Sequence, residues 1–261
     1  MDEIAVEDEE SPTMTAEVYG VMQLHEWIGE ANVRFDLDED LFSLVVKRAA
    51  AYGWSSTLLQ AGRELGGQRW EHADAGGDWA QDGRVRRLAW LTGYPAVDLP
   101  SQHLPVLPMT RILVEALHRV GRLEFTGLRI QAPLRLAPDI GFDLRTAADW
   151  FSLARLDSPV CMTAAIAAEP DLDAARLCEL AVQRGYGRLR MKQAPDVEPA
   201  LSPMDSLGPH AAGVGPGVSL ECTAPEWSPE SAAWIAEVLI DSLRACGLRT
   251  SAEITISHKT G

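Results

Sequence analysis

The first half of the chain carries a row of side chains suited to holding a ligand or a partner. Tyr19, Gln23, His25 and Trp27 fall on alternate positions of the run Glu17 to Ile28, a spacing that places them on one face of a strand. Trp90 and Tyr94, four residues apart in a second strand-like run, join them if that run has the matching phase. Aromatic rings with an amide and an imidazole among them can dock an apolar partner and orient it with a few hydrogen bonds. His25 could also serve as a base or a ligand. Its neighbour Glu26 points to the opposite strand face, so the two form no dyad, and no catalytic set is assigned.

The other candidates carry less chemistry. His118 lies near a helix C-terminus, where the dipole favours a cation, while His72, His103 and His210 fall in predicted loops without metal-ligand spacing. Asp74, Asp78 and Asp82 with Gly76, Gly77 and Gly83 match no calcium loop and read as turn residues. Gly213-Val214-Gly215-Pro216-Gly217 lacks the helix and the spacing of a phosphate loop. His258-Lys259-Thr260 is similar to the His-x-Thr element of two-histidine phosphoesterases, but no second copy exists in the other half. Cys161, Cys178, Cys222 and Cys246 form no CxxC pair and read as reduced small hydrophobes within helices or strands. No metal and no cofactor is expected.

The elements that position these residues are written twice. Leu113 to Gly121 and Leu239 to Gly247 share one pattern: Leu, β-branched apolar, acid, small, Leu, base-like, two variable positions, Gly. Each closes an amphipathic run with the Gly that a helix C-terminus favours, and a strand-like segment follows at once. Asp36-Leu37-Asp38 and Asp171-Leu172-Asp173 each open a helical run that ends near a Tyr-Gly pair, Tyr52-Gly53 and Tyr186-Gly187. The offsets, 135 residues for the first signature and 126 for the second, agree closely enough to predict an internal duplication.

The first copy predicts strand 17–28, helix 40–52, strand 55–63, strand 85–94, helix 109–120 and strand 122–134, with 66–83 as a long hairpin loop. The second predicts strand 160–168, helix 172–184, strands 188–193 and 218–224, helix 229–246 and strand 251–259, with 194–217 as an excursion rich in Pro and Gly. Both read β-α-β-β-α-β, the split βαβ or ferredoxin-like order. The predicted fold is therefore α+β: an acidic tail over 1–15, one ferredoxin-like unit over 16–136, a connector with a short helix at 146–156 over 137–159, and a second unit over 160–261. On the open sheet face of the second unit Glu221 is expected to meet Arg190 across strands, whereas the first unit's open face reads as aromatic and apolar.

This element order resembles that of the dimeric α+β barrel proteins, in which two ferredoxin-like units, separate or fused, close their sheets into a barrel. The resemblance covers most of residues 16–259 and rests on topology, with no family motif. It implies a small-molecule pocket lined by His25, Trp27 and Trp90, of the kind used by cofactor-free monooxygenases and cyclases.

Charge narrows the partners. Of the net charge of −15, residues 1–40 account for −12, with thirteen acids against Arg34, so the body is nearly neutral. Neither the body nor the tail offers phosphates a basic surface, which argues against nucleic acid. No apolar run is long enough to span a membrane and the first residues are acidic, so a cytoplasmic location is expected. Twenty arginines against three lysines fit a GC-rich, actinobacterial-like genome. The expected function is non-catalytic binding or assembly, with a protein partner or a second copy docked on the aromatic face; a small-molecule enzyme or carrier is the alternative.

Overall fold

The computed structural model describes residues 12–28, 40–55, 69–96, 103–137, 144–153, 159–168, 172–194 and 217–258. Its chain order is β1 (Met14–Leu24), α1 (Leu41–Ala51), β2 (Trp70–Gly76), β3 (Arg86–Pro95), α2 (Val106–Val120), β4 (Gly121–Pro133), α3 (Leu144–Trp150), β5 (Val160–Ala167), α4 (Ala174–Arg184), β6 (Arg190–Gln193), β7 (Val218–Ala224), α5 (Pro229–Ala245) and β8 (Ser251–His258). The architecture is mixed α+β. One eight-stranded antiparallel sheet runs β2-β3-β1-β4-β8-β5-β7-β6.

Strand alternation explains why helices cover one face. Ala16, Val18, Leu128, Ile130, Ile254, Ile256, Ala164, Ile166, Leu220 and Cys222 are all buried in one core with the helices, and the residues between them are largely polar. In the helix layer, α1 packs on α2, α2 on α5, and α5 on α4 and on the short α3. The four strands of each half keep one relative order, β2-β3-β1-β4 and β6-β7-β5-β8, and the halves meet where β4 pairs with β8, Leu128 opposite Ile256 and Ile130 opposite Ile254. Among the described residues the sheet stays open, with β2 and β6 at its ends, and does not close into a barrel.

Helix caps follow the sequence closely. Asp40 and Asp173 accept the N–H of Ser43 and Arg176, and Ser228 accepts that of Ser231 ahead of Pro229. Gly247 takes the left-handed conformation (φ 97°) that ends α5. Gly121 does not: its backbone is extended, and α2 passes directly into β4. Glycine is needed there because a Cβ would lie 2.5 Å from the Gln23 carbonyl oxygen. The matched glycines therefore serve different ends.

Several boundaries move. The first strand starts at Met14, fully buried, so residues 14 and 15 belong to the sheet and not to a tail; residues 1–11 lie outside the described residues. It ends at Leu24, where its pairing with β4 runs out at Gly121, and a short helical turn takes His25 to Ile28 off the sheet. Of the strand predicted at 55–63, all but Ser55 lies outside the described residues. The second strand of the half is Trp70–Gly76, inside the stretch read as a loop. Buried Trp70 anchors it, and Gly76 sits against the ring of Trp90, so a Gly- and Asp-rich composition conceals a paired strand. The predicted helix at 109–120 starts at Val106, with Pro108 tolerated in its first turn. The connector helix is Leu144–Trp150, and most of 194–217 lies outside the described residues.

Candidate functional site

The uncovered face of the first half is organised by a buried carboxylate. Glu17, only 8% exposed, lies on β1 between Trp90 of β3 and Arg129 of β4. It pairs with Arg87 at 2.8 Å and Arg129 at 3.5 Å, and accepts the Tyr19 hydroxyl at 2.6 Å. Arg129 continues the ladder to Glu253 of β8 at 3.8 Å. Tyr19 sits where β1 slips register against both neighbours, opposite Arg87 and Gly127, and the Arg129 guanidinium lies over its ring. Burial and the adjacent Glu17 charge push the Tyr19 phenol well above the usual tyrosine range. It remains a neutral donor throughout the physiological range.

Around this knot lie the accessible groups. Trp90 is half-buried beneath the Arg87 guanidinium, Tyr94 is exposed, and Thr15 and Thr92 join through their hydroxyls at 2.9 Å. The face is thus aromatic and charged together, where the alternation alone predicts an apolar one. The error has a simple source: Arg87 and Arg129 reach it from β3 and β4, while the prediction rested on β1 and the rings of β3. On the second half's face, Glu221 pairs with Lys192 at 2.7 Å rather than with Arg190, because the register sets Arg190 opposite Thr223.

The six predicted residues divide among three places. Tyr19, Trp90 and Tyr94 share the open face, with Tyr19 sealed beneath Arg129. Gln23 is exposed near the far end of β1. His25 and Trp27 stand off the sheet beside the end of α2, stacked with centroids 5.6 Å apart, and Arg119 lies over the Trp27 ring. The structure does not bring His25 or Trp27 to Trp90 in a common pocket.

Two constellations were not legible as sites. The first is Ser55 Oγ against His72 Nε2 at 2.5 Å, with the Trp70 indole N–H donating to His72 Nδ1 at 3.4 Å. A serine nucleophile needs a histidine that accepts its proton at Nε2 and donates from Nδ1. Here the indole donor makes Nδ1 the acceptor, so Nε2 carries the hydrogen and Ser55 receives it. Burial holds the His72 pKa below its ordinary value, which keeps the ring neutral. The pair is structural chemistry in the posture of a dyad.

The second lies in the seam between α2 and α5, where His103, Glu237 and Asp241 line a cavity with about 10 Å³ for a water centre. That is room for about one water. Glu237 accepts the N–H of Leu107 at 3.2 Å and so caps α2, whose own N-cap, Pro105, supplies no side-chain acceptor. Burial pushes the Glu237 carboxyl up to about 7. Asp241 pairs with Arg184 of α4. Glu237 falls in no sequence motif, and Asp241, the acid of the repeated Leu-apolar-acid pattern, gives no sign there of a cavity.

The acidic hairpin is settled by its own contacts. Arg86 clamps Asp78 and Asp82, whose other oxygens accept the N–H groups of Ala80 and Arg84. Among the described residues no cluster of His, Cys, Asp and Glu could hold a metal, and no helix is long and apolar enough to cross a membrane. Comparison of the chain with protein-family models, curated proteins and solved structures finds no match.

Proposed function

We propose that this chain is a non-catalytic binding and assembly protein, built from two copies of a ferredoxin-like unit, that docks a protein partner on the open sheet face of its first half. The observation that supports the reading most is the setting of Trp90 and Tyr94. Two aromatic side chains stand on a rigid, paired strand, Trp90 beneath the Arg87 guanidinium whose charge is met by Glu17 and Tyr94 beside Glu71, and none of the described helices packs on that side. Aromatic anchors with charged neighbours suit a protein interface, and a strand platform keeps the entropy cost of ordering them low. Equal strand order in the two halves supports the duplication, with the boundary between units put at the connector around α3 in this reading.

The test is site-directed. A photo-crosslinking amino acid at Thr92, between the two rings, should capture one protein species in stoichiometric yield in the native host. Trp90→Ala with Tyr94→Ala should abolish that capture by more than tenfold while far-UV circular dichroism is unchanged. A small molecule that co-purifies and is turned over by the chain would overturn the proposal.

A further inference from the structure

The two ends of the sheet match each other. On β2 the open-face positions are Glu71, opposite Tyr94, and Asp74, opposite Thr92; a bulge at Ala73 makes them neighbours on that face. On β6 the open-face positions are Arg190, opposite Thr223, and Lys192, opposite Glu221. All four side chains are exposed. One edge is acidic and the other basic.

Direction and length match as well. Because every pairing across the sheet is antiparallel and the strand order holds eight members, β2 and β6 run in opposite senses within one molecule. A second copy set alongside without turning over therefore presents its β6 antiparallel to β2, helices on the same side. Setting Glu71 opposite Lys192 places Asp74 opposite Arg190, and His72 meets Met191 on the helix side. Charged pairs directly opposed across strands lie about 5 Å apart at Cβ. The ladder needs only Arg190 to Lys192 of β6: at one end of β2 the Trp70 N–H already donates to the Trp54 carbonyl at 3.4 Å, and at the other the Asp74 carboxylate accepts the Ala75 N–H at 2.8 Å. The layers also keep step: eight strands at about 4.8 Å and four helices at 8–10 Å give repeats of roughly 35–40 Å.

We propose that the acidic β2 edge of one molecule pairs with the basic β6 edge of a second copy of this chain, head to tail, continuing one antiparallel sheet from copy to copy. The contact joins two different surfaces, so each added copy leaves one of each edge exposed and growth continues past the dimer. Lys192 keeps Glu221 as a neighbour and adds Glu71 of the next copy to its contacts.

The experiment uses the full chain alone in sedimentation velocity, from about 5 to 500 μM, at low and at high salt. Species beyond the dimer should grow with concentration and be suppressed at high salt, where exposed charges are screened. Glu71→Lys with Asp74→Lys should make the chain monomeric, as should Arg190→Glu with Lys192→Glu. Mixing these two variants should restore large species, because each then offers what the other's edges lack. A wild type that stays monomeric throughout, an assembly that stops at the dimer, or a mixture that stays monomeric overturns the proposal. Since all four side chains are exposed, the variants should keep the wild-type circular dichroism.

Discussion

Glu115 and Asp241 hold one place in the repeated Leu-apolar-acid-small-Leu pattern, yet they live in different surroundings. Each takes an arginine from the preceding helix of its own half, Arg48 of α1 for Glu115 and Arg184 of α4 for Asp241. Glu115 is 25% exposed and shares its charge among Arg48, Arg111 and the Tyr52 hydroxyl, with Arg48 half in water. Asp241 is 5% exposed. The cause is the position of α5, which packs against α2, α4 and the connector helix α3, while α2 packs against α1 and α5 among the described helices. A repeated sequence pattern therefore specifies a contact and its partner, but the number of neighbouring layers decides what the contact is worth.

The sharpest break of this comparison is to remove the arginine from each pair. Arg184→Ala strands a buried carboxylate and should cost about 3–5 kcal/mol in urea unfolding. Arg48→Ala removes one of two arginines from an exposed cluster and should shift the urea midpoint far less. Equal costs would mean that burial does not separate the halves.

The second helices also start differently. α5 begins on its own Ser228 cap, whereas α2 borrows Glu237 from α5. The loan carries a pH dependence. With its carboxyl raised to about 7 when folded against about 4.5 unfolded, Glu237 binds its proton more tightly in the native state. Its contribution is full below about 4.5 and is lost as pH rises through about 7. Glu237→Gln keeps an acceptor for Leu107 without the charge, so it should raise stability at pH 8 relative to wild type, on the order of 2–3 kcal/mol, and leave the two chains alike at pH 4. A constant difference between pH 4 and 8 would show that the carboxyl is not raised on folding.

The same contrast governs what could be read from the chain alone. The caps at Asp173 and Ser228, the helices ending at Ala51, Arg184 and Ala245, and strand β7 follow from local patterns, because each depends on a few adjacent residues; Asp36-Leu37-Asp38 lies outside the described residues, and α1 is capped by Asp40. β2 was hidden because its composition is that of a loop, although its partner β3 follows next in the chain: Asp74 and Gly76 serve a bulge and a close approach to Trp90. On the open face, the rings of Trp90 and Tyr94 were legible from alternation. The Glu17 knot was not, since Arg87 and Arg129 reach it from sequence distances of 70 and more. His25 and Trp27 left the row when β1 ended at Leu24, an event set by the length of β4 and not by β1.

The smallest predicted effect tests the halves at their edge strands. The middle helix-facing position is His72 in β2 and Met191 in β6, so only the first half carries a titratable ring there. His72 is held neutral by burial, and its two nitrogens are committed to Trp70 and Ser55. A second proton on Nδ1 would face the indole N–H. The folded pKa is therefore below the ordinary value of about 6.5, so the unfolded chain takes up the proton first as pH falls. His72 contributes full stability above about 6.5 and loses it as pH drops toward the folded value. His72→Met makes the two strands alike at this position. It should unfold at lower urea than wild type at pH 7.5, because Ser55 and the indole lose their partner, and the gap should narrow at pH 5. Because the Glu237 contribution is common to both chains, it cancels in that difference. A gap independent of pH would mean that the ring protonates as readily folded as unfolded, and the tautomer that excludes Ser55 as a nucleophile would have to be given up.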